Sequence, residues 1–442
     1  MITNRRSQEK FNSKNGVNRP PLYDLSVYCG GLSWRILNML KTSVYRVYPN
    51  KEQEILLAKH FGCTRFIYNW GLAKKIEEYE KNKKRLSFFD LCKELTILKN
   101  QEEYKWLYEV SNPALQYSLR HLDNAFTRFF REKKGFPKFK SKKNNKYSYS
   151  LPEKVKIDFE QQKVILPKFK KTLKIRVDRT FEGKIKTCTV KKTPTNKYFI
   201  SVLVETNDVI PKKPKIEEQT AIGIDLGIKD FAILSNGEKI ENQKNLAKLM
   251  PRLKVLQKRA SRKQKGSNNC KKANLRLALL YEKITNRRNN FLHKLSHRLT
   301  HDNQVNTLCL ETLNVEGMIK NHKLAQAISD VSWSRFNDYL EYKTEWYGKN
   351  LIRIGRFEPS SKICSVCGSI NNELKLSDRE WTCKNCGTHH DRDINASKNI
   401  VKFALRQQNL VYTGQGMPAE SAEPPTVVGT KKQKVKKLNK QV

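Results

Sequence analysis

The sequence predicts a multidomain chain, α+β in its first half and α/β in its second, with a small metal-clipped element built into the α/β part. Three observations carry this. Short alternating β-type segments bracket a long stretch of helical periodicity before residue 212. A glycine-flanked apolar strand, AIGIDLGIKDFAIL, opens a new pattern at Ala221. Two C-x-x-C pairs, Cys364/Cys367 and Cys383/Cys386, stand fifteen residues apart, just before an aspartate that opens a helix.

Composition bounds the partners. Across 442 residues, 87 lysines and arginines face 43 acidic residues, a net charge of +44. That excess exceeds what solubility needs and points to a polyanion. A membrane surface fits less well, because no apolar run reaches spanning length and Arg35 interrupts the nearest candidate, Leu25 to Leu40. The opening MITNRRSQEKFNSKNG lacks the apolar core of a secretory signal. Six further cysteines, Cys29, Cys63, Cys92, Cys188, Cys270 and Cys309, are scattered, which suits a reducing cytoplasm better than a disulfide framework.

Residues 1–38 are polar and irregular, with Pro20-Pro21 and Gly30-Gly31, and read as an N-terminal extension. Ordered patterning begins at Met39, which predicts a functional start there. TSVYRVY (42–48) alternates as a strand and Pro49 ends it. Ile55, Leu56, Phe61, Phe66, Ile67 and Trp70 then recur at helical spacing, as do Leu115, Leu119, Leu122, Phe126, Phe129 and Phe130; all are expected in a core. Arg65, Arg120, Arg128 and Arg131 lie among them, facing either a phosphate backbone or water. GFPKFKSKKNNKYSYS mixes aromatics with Lys138, Lys140 and other lysines. Segments 155–159, 164–166, 173–177, 185–190 and 197–204 predict a small barrel or sandwich that strand 42–48 joins, with the helices inserted between. VIPKKPKIEEQT is a linker by composition.

The second half predicts strands at 221–226 and 231–234, a turn at Asn236-Gly237 and a third strand. Between Gln243 and His301, seventeen lysines and arginines face Glu282 alone. Two helices carry them, the second broken at the basic turn Asn286-Arg287-Arg288-Asn289; such one-signed charge predicts a nucleic-acid surface. His293, His297 and His301 share a face and read as a solvated stripe rather than a metal site. VNTLCLE (305–311) is a buried strand ending in a carboxylate, 333–346 an amphipathic helix and 351–357 a strand.

The four cysteines match the spacing of a zinc ribbon, and Gly368 and Gly387 after each pair allow the tight turn both thiolates need. Four sulfurs fill a tetrahedral zinc, so that ion is structural and chemistry must come from elsewhere. Asp225 is the candidate, since a carboxylate in an apolar strand is costly unless it holds a cation or hydrogen bonds. Glu311, 86 positions on, and Asp393, a further 82, can converge with it in one α/β core. Three carboxylates suit two Mg²⁺ ions roughly 3.5 to 4 Å apart, which activate water and stabilise the leaving 3′ oxygen of a phosphodiester. Asp391 reads as the cap of the helix that Asp393 enters.

GIDLGIKDFAILSNG, LETLNV, the run from SWSRF to SSKICSVCG and THHDRDINASKNI resemble the TnpB family of insertion-sequence proteins, relatives of compact type V CRISPR effectors. GCTRFIYNW and GFPKFKSK resemble its N-terminal half, so the likeness spans Met39 to Leu405. The resemblance implies an RNA-guided DNA endonuclease with a RuvC-type, RNase H-like domain at 213–405 and a zinc ribbon inserted at 357–390. It implies a wedge-like β-barrel module at 39–50 and 136–212, interrupted by a helical recognition domain at 51–135. It places the catalytic acids on Asp225, Glu311 and Asp393 and the zinc ligands on the four cysteines. Its partners would be a guide RNA from the transposon end and double-stranded target DNA beside a short flanking motif. The expected form is a monomer on its RNA, cytoplasmic and nucleoid-associated. Candidate nucleic-acid contacts are Arg65, Arg120, Lys138, Lys140, Arg262, Lys263, Arg287, Arg288 and Lys294, with residues 406–442 a disordered basic tail. The rivals are a compact CRISPR effector, a non-cleaving regulator lacking one of the acids, and an ATPase, which would need a second Gly-rich phosphate loop.

Overall fold

Alternation in the first ordered segment carries through to a ten-residue strand, β1 (Met39–Tyr48), which buries Tyr45 and Val47 and exposes Val44 and Tyr48. The structure, a computed structural model, describes residues 39–408 apart from 145–146, 153–154, 303, 357 and 376. The expectations for 1–38 and for the tail beyond 408 lie outside the described residues. Asn50 ends β1 and opens α1 (Lys51–Asn82): its side chain accepts from the Gln53 amide at 2.8 Å while the Gln53 side chain accepts from the Asn50 amide at 3.0 Å, a reciprocal cap. Ser87 and Asp90 start α2 (Phe88–Asn100) in the same way, and Pro113 sits in the first turn of α3 (Asn112–Glu132). The three helices share a core that includes Ile67, Leu72, Leu91, Leu95, Leu115 and Leu119. At Gly71 a Cβ would lie 2.7 Å from the end of the Leu119 side chain, so a larger residue there would oblige Leu119 to shift.

Not every apolar member of the helical pattern is core. Leu57 is buried where Ile55 is 60% exposed, because the inward face of α1 is set by the sheet it covers. Phe130, at the end of α3, is also 60% exposed.

The strands that follow are β2 (Tyr147–Pro152), β3 (Lys156–Asp158), β4 (Lys163–Ile165), β5 (Leu173–Arg176), β6 (Lys184–Lys192) and β7 (Tyr198–Thr206). With β1 they form one antiparallel sheet in the order β2-β6-β7-β1-β5-β4-β3. β1 sits in its centre, paired with β7 from Met39–Thr206 to Val47–Tyr198. Alternate residues of central and outer strands alike, Leu151, Val164, Ile175, Val190 and Val202 among them, meet in a single core that Leu57, Phe61 and Ala114 close. A flat sheet cannot bring both ends to one core. The expected barrel or sandwich therefore takes the form of one curled sheet, with α1 to α3 inserted between its first two strands.

Beyond the linker come β8 (Ala221–Leu226), β9 (Asp230–Leu234), β10 (Lys239–Glu241), α4 (Asn245–Ser261), α5 (Asn268–His301), β11 (Thr307–Glu311), α6 (Val315–Ile319), α7 (Ala325–Val331), α8 (Trp333–Trp346), β12 (Asn350–Ile354), β13 (Glu380–Thr382), β14 (His389–Asp391) and α9 (Arg392–Gln407). Five of the strands form a mixed sheet, β10-β9-β8-β11-β12, in which β8, β11 and β12 run parallel and β9 pairs antiparallel with both β8 and β10. Successive side chains of β11 choose opposite faces. Leu308 and Leu310 pack with Leu292, Leu295, Phe336 and Leu340 of α5 and α8; Cys309 packs with Ile400 and Ala404 of α9.

Two sequence expectations are corrected here. α5 runs unbroken through Asn286–Asn289: the segment has neither Gly nor Pro, and Arg288 and Asn289 are tied to Asp330 and Arg335 at 3.2 and 2.6 Å. Residues 406 and 407, expected in the tail, complete the last turn of α9. Among the described residues no helix is long and apolar enough to cross a membrane.

Candidate catalytic and metal site

Two residues separate side chains that share one face of a strand, so Gly223 and Asp225 point to the same side of β8. A Cβ at Gly223 would lie 1.9 Å from the Ser397 carbonyl oxygen, so the α9 backbone rests directly on this strand. The same close approach sets Asp225 against the first turn of α9, which carries Asp393. Glu311 arrives through the sheet: β11 pairs with β8 up to Leu310–Ile224, and one step further puts Glu311 alongside Asp225. Burial, then the charges of Glu311 and Asp393, push the Asp225 carboxyl up to about 7, with nearby Arg392 pulling the other way. Three carboxylates far apart in sequence are thus near enough to repel.

Each acid has a distinct support. The Ser360 hydroxyl donates to Glu311. Asp393 meets the Arg379 guanidinium at 3.3 Å. One Asp391 oxygen accepts from the amides of Asp393 and Ile394 at 3.0 and 3.1 Å and the other meets Lys239, so Asp391 is the cap of α9, as its position suggested. A site with crowded anions and one carboxyl held near neutrality is suited to divalent cations, which would relieve the repulsion and keep all three ionised.

The four cysteine sulfurs lie within 4.8 Å of one another, the one group of three or more possible metal ligands drawn that close among the described residues. Cys364 and Cys386 are 3.7 Å apart, Cys367 and Cys383 3.6 Å. Zn–S bonds near 2.3 Å in a tetrahedron give an S···S edge of about 3.8 Å, so the cage fits that ion. Each pair turns on a left-handed glycine, Gly368 (φ 78°) and Gly387 (φ 70°). Ser369 reaches the sulfurs of Cys367 and Cys383, and the His390 ring nitrogen stands 3.0 Å from Cys364, a second layer of hydrogen-bonding groups around the cage.

The cage is fastened to the acids. Asn395 of α9 donates to the Ile363 carbonyl and accepts from the Ser365 amide at 2.7 and 2.8 Å, while Asn399 donates to the carbonyls of Ser360 and Ile363 at 2.7 and 2.6 Å. Arg392, buried, donates to the Lys375 carbonyl at 2.8 Å. Ser360, Arg379, Arg392, Asn395 and Asn399 were missed by sequence reasoning. The signal that could have exposed the asparagines is their position on the buried face of an amphipathic helix, where Asn is out of place without a partner.

The candidate nucleic-acid residues disperse. Arg65 lines a 720 Å³ cleft between α1, the curled sheet and α5, together with Lys142, Lys192, Lys271 and Lys272. Arg120 stacks over Phe88 at 4.9 Å. Lys140 sits over the Tyr68 ring at 3.8 Å, and desolvation draws its ammonium down to about 8. Lys138, Arg262, Lys263, Arg287 and Lys294 are exposed. Arg288 differs: it is half-buried and its charge is met by Asp330 at 3.2 Å. His293 and His297 face α8, stacked on Tyr339 at 4.0 Å and hydrogen-bonded with Tyr347 at 3.2 Å.

Three family matches cover most of these elements: residues 199–322 match a family described as "Probable transposase", 333–400 a "Cas12f1-like, TNB domain" and 39–84 a "Helix-turn-helix domain". The last spans β1 and α1 here, a strand followed by one long helix. A Streptomyces pristinaespiralis protein named "Putative RNA-guided DNA endonuclease" is 41% identical over 363 residues, covering 82% of this chain and 88% of its own. InsQ of Escherichia coli strain K12, given the same description, is 28% identical over 88% of this chain and 98% of its own. Among solved structures, the protein of a Cas12f1-sgRNA-target DNA complex superposes with a TM-score of 0.52 at 16% identity, covering 82% of this chain and 99% of that one, a likeness of fold.

Proposed function

The chain belongs to the TnpB (OrfB-type) family of RNA-guided DNA endonucleases, and from that premise we propose that it cuts double-stranded DNA under the direction of a guide RNA by metal-dependent hydrolysis at Asp225, Glu311 and Asp393. The single observation that carries the assignment is the convergence of the acids in the fold: the β8–β11 register sets Glu311 alongside Asp225, and the close approach of α9 to β8 at Gly223 brings the helix that carries Asp393 to the same strand. A fold rarely gathers three such groups without a cation to hold.

The five-stranded mixed sheet with α5, α8 and α9 is the RuvC-like, RNase H-like core, at 213–405, with the zinc ribbon at 357–390. The curled sheet, 39–50 and 136–212, is the wedge-like module, and 51–135 is the recognition domain. Two Mg²⁺ ions, when bound, supply Lewis-acid activation of water and charge neutralisation at the leaving 3′ oxygen. Asp225, Glu311 and Asp393 would hold them, with the Ser360 hydroxyl orienting Glu311. Arg379 reaches Asp393 from the ribbon and would offer its charge to the scissile phosphate. Cys364, Cys367, Cys383 and Cys386 would bind Zn²⁺, which would hold the ribbon in place. Guide pairing supplies sequence specificity, while the excess positive charge grips backbones.

The test is purification from cells carrying the native locus, sequencing of the bound RNA and magnesium-dependent cleavage of a matching plasmid library. Asp225→Ala is expected to abolish cutting while leaving RNA-dependent DNA binding intact. Cutting by that variant at the wild-type rate would refute the assignment.

A further inference from the structure

The helical module ends in an aromatic groove that plays no part in the site above. The chain turns left-handed at Lys83 (φ 52°) after α1 and at Lys133 (φ 52°) after α3. The return after Lys133 lays Phe136 edge-on against Phe126 at 5.5 Å and Phe129 at 5.4 Å, and Phe130 packs beside Phe129 at 5.0 Å. With Tyr79 these rings line an open cavity of 640 Å³. Tyr79, Phe130 and Phe136 are 50, 60 and 47% exposed. Clustered exposed rings of this kind mark a binding surface rather than a core.

Charge decides what covers them. The Arg85 guanidinium lies 5.4 Å from the Phe130 ring, and Lys84 and Arg131 also line the cavity; the Lys75 ammonium, 5.2 Å from the Phe126 ring, is already held by the Leu86 carbonyl at 2.7 Å and Asp123 at 3.4 Å. Rings for stacking beside cations for phosphates are what unpaired nucleotides require. A duplex keeps its bases stacked inside and cannot offer them to a groove; a splayed single strand can. Beside Asp123, which pairs with Lys75, the cavity also presents the Glu80 carboxylate. It opposes a phosphate but accepts a hydrogen bond from a ribose 2′-hydroxyl, which DNA lacks.

We propose that this groove stacks unpaired bases of the guide RNA. The proposal rests on the RNA-guided reading of the site and extends it to a surface outside the catalytic acids.

The probe is a short oligouridine RNA carrying 5-iodouridine, with the matching deoxyuridine strand in parallel, on the full chain. Ultraviolet cross-links are expected on peptides containing Phe126, Phe129, Phe130 or Phe136. Phe130→Ala should weaken RNA binding about tenfold, the loss of one stacked base, with an unchanged salt slope and melting temperature, and Phe130→Tyr should restore it. Wild-type RNA affinity in Phe130→Ala, with cross-links only elsewhere, would overturn the proposal. Equal cross-linking and equal loss with the deoxyuridine strand would overturn the choice of RNA. If the unaltered chain bound no RNA at all, the functional reading itself would fail, an outcome distinct from loss of the groove alone.

Discussion

The Ser360 hydroxyl donates to the Glu311 carboxylate, joining the lead-in of the cysteine cage to the end of a core strand. Ser360 is 7% exposed, and its own carbonyl accepts from Asn399 of α9. One backbone position is therefore held by the helix that carries Asp393 while its side chain orients Glu311. Ser360→Ala removes the donor without changing the backbone. Partners of metal-binding carboxylates typically contribute about 10 to 100-fold in metal affinity or activity. The expected result is a magnesium midpoint for cleavage raised by about that factor, at an unchanged melting temperature. A variant with the wild-type magnesium curve would show the hydrogen bond to be incidental.

Asp225 gives a pH dependence with a definite sign. Its carboxyl holds a proton up to about 7 in the metal-free fold, far above its ordinary range. The folded chain then binds that proton more tightly than the unfolded chain, so the group's contribution to stability declines as pH climbs from the ordinary carboxylate range toward 7. Above 7 the ionised side chain is a net cost. Asp225→Asn should therefore abolish cleavage yet stabilise the metal-free protein at pH 8, on the order of 2 to 4 kcal/mol, and by much less at pH 4. Denaturant melts at the two pH values check this. Equal effects at both would mean that Asp225 ionises as an exposed acid does.

The residues that sequence reveals are those whose presence is costly or whose spacing is rare. Asp225 in an apolar strand and four cysteines in two matched pairs announce themselves. The helix from Trp333 to Trp346 is likewise legible from its period. Asp391 as the cap of α9 is also legible from its place at the helix start. Contacts between distant backbones are another matter. Ser360 and Arg379 lie in polar, irregular sequence, and only the folded chain sets them beside Glu311 and Asp393. The partner of Arg288 in α5 is Asp330, 42 positions later, and no local pattern contains that contact. Phe130 continues a helical period beyond the core that the period suggests.

Gly223 makes the close approach of β8 and α9 testable. An added Cβ would meet the Ser397 carbonyl at 1.9 Å, and this obstacle is backbone, which cannot rotate away. Gly223→Ala should destabilise the chain by about 2 to 3 kcal/mol through overpacking. It should reduce cleavage further than that loss of folded protein explains, because α9 carries Asp393. Guide-RNA binding should persist if, as proposed, it rests on elements away from β8 and α9. Chemical denaturation, RNA retention and cleavage on the same preparation separate these effects, and normal cutting by a stable Gly223→Ala protein would contradict the geometry.

Removing the cage metal should act at a distance. The sulfurs stand 3.6 to 3.7 Å apart across the two pairs, at the edge length of a tetrahedral site. Metal-free, four thiols have no reason to keep that spacing, since the local fold draws on the metal's binding energy, about 10 kcal/mol or more in small ribbons. Loss of the knuckles releases the 360–365 segment from one side, leaving Asn395 and Asn399 to hold it alone. Ser360 then no longer orients Glu311, and Arg379 leaves Asp393. A Cys367→Ser, Cys383→Ser double variant is expected to lose bound zinc, to cleave at least about 100-fold more slowly and to need more magnesium, while RNA binding persists. Zinc content, magnesium midpoint and RNA retention read the three parts separately. If the zinc-free protein kept its magnesium midpoint, the ribbon would be an independent clip and the connection through Ser360 would carry no catalytic consequence.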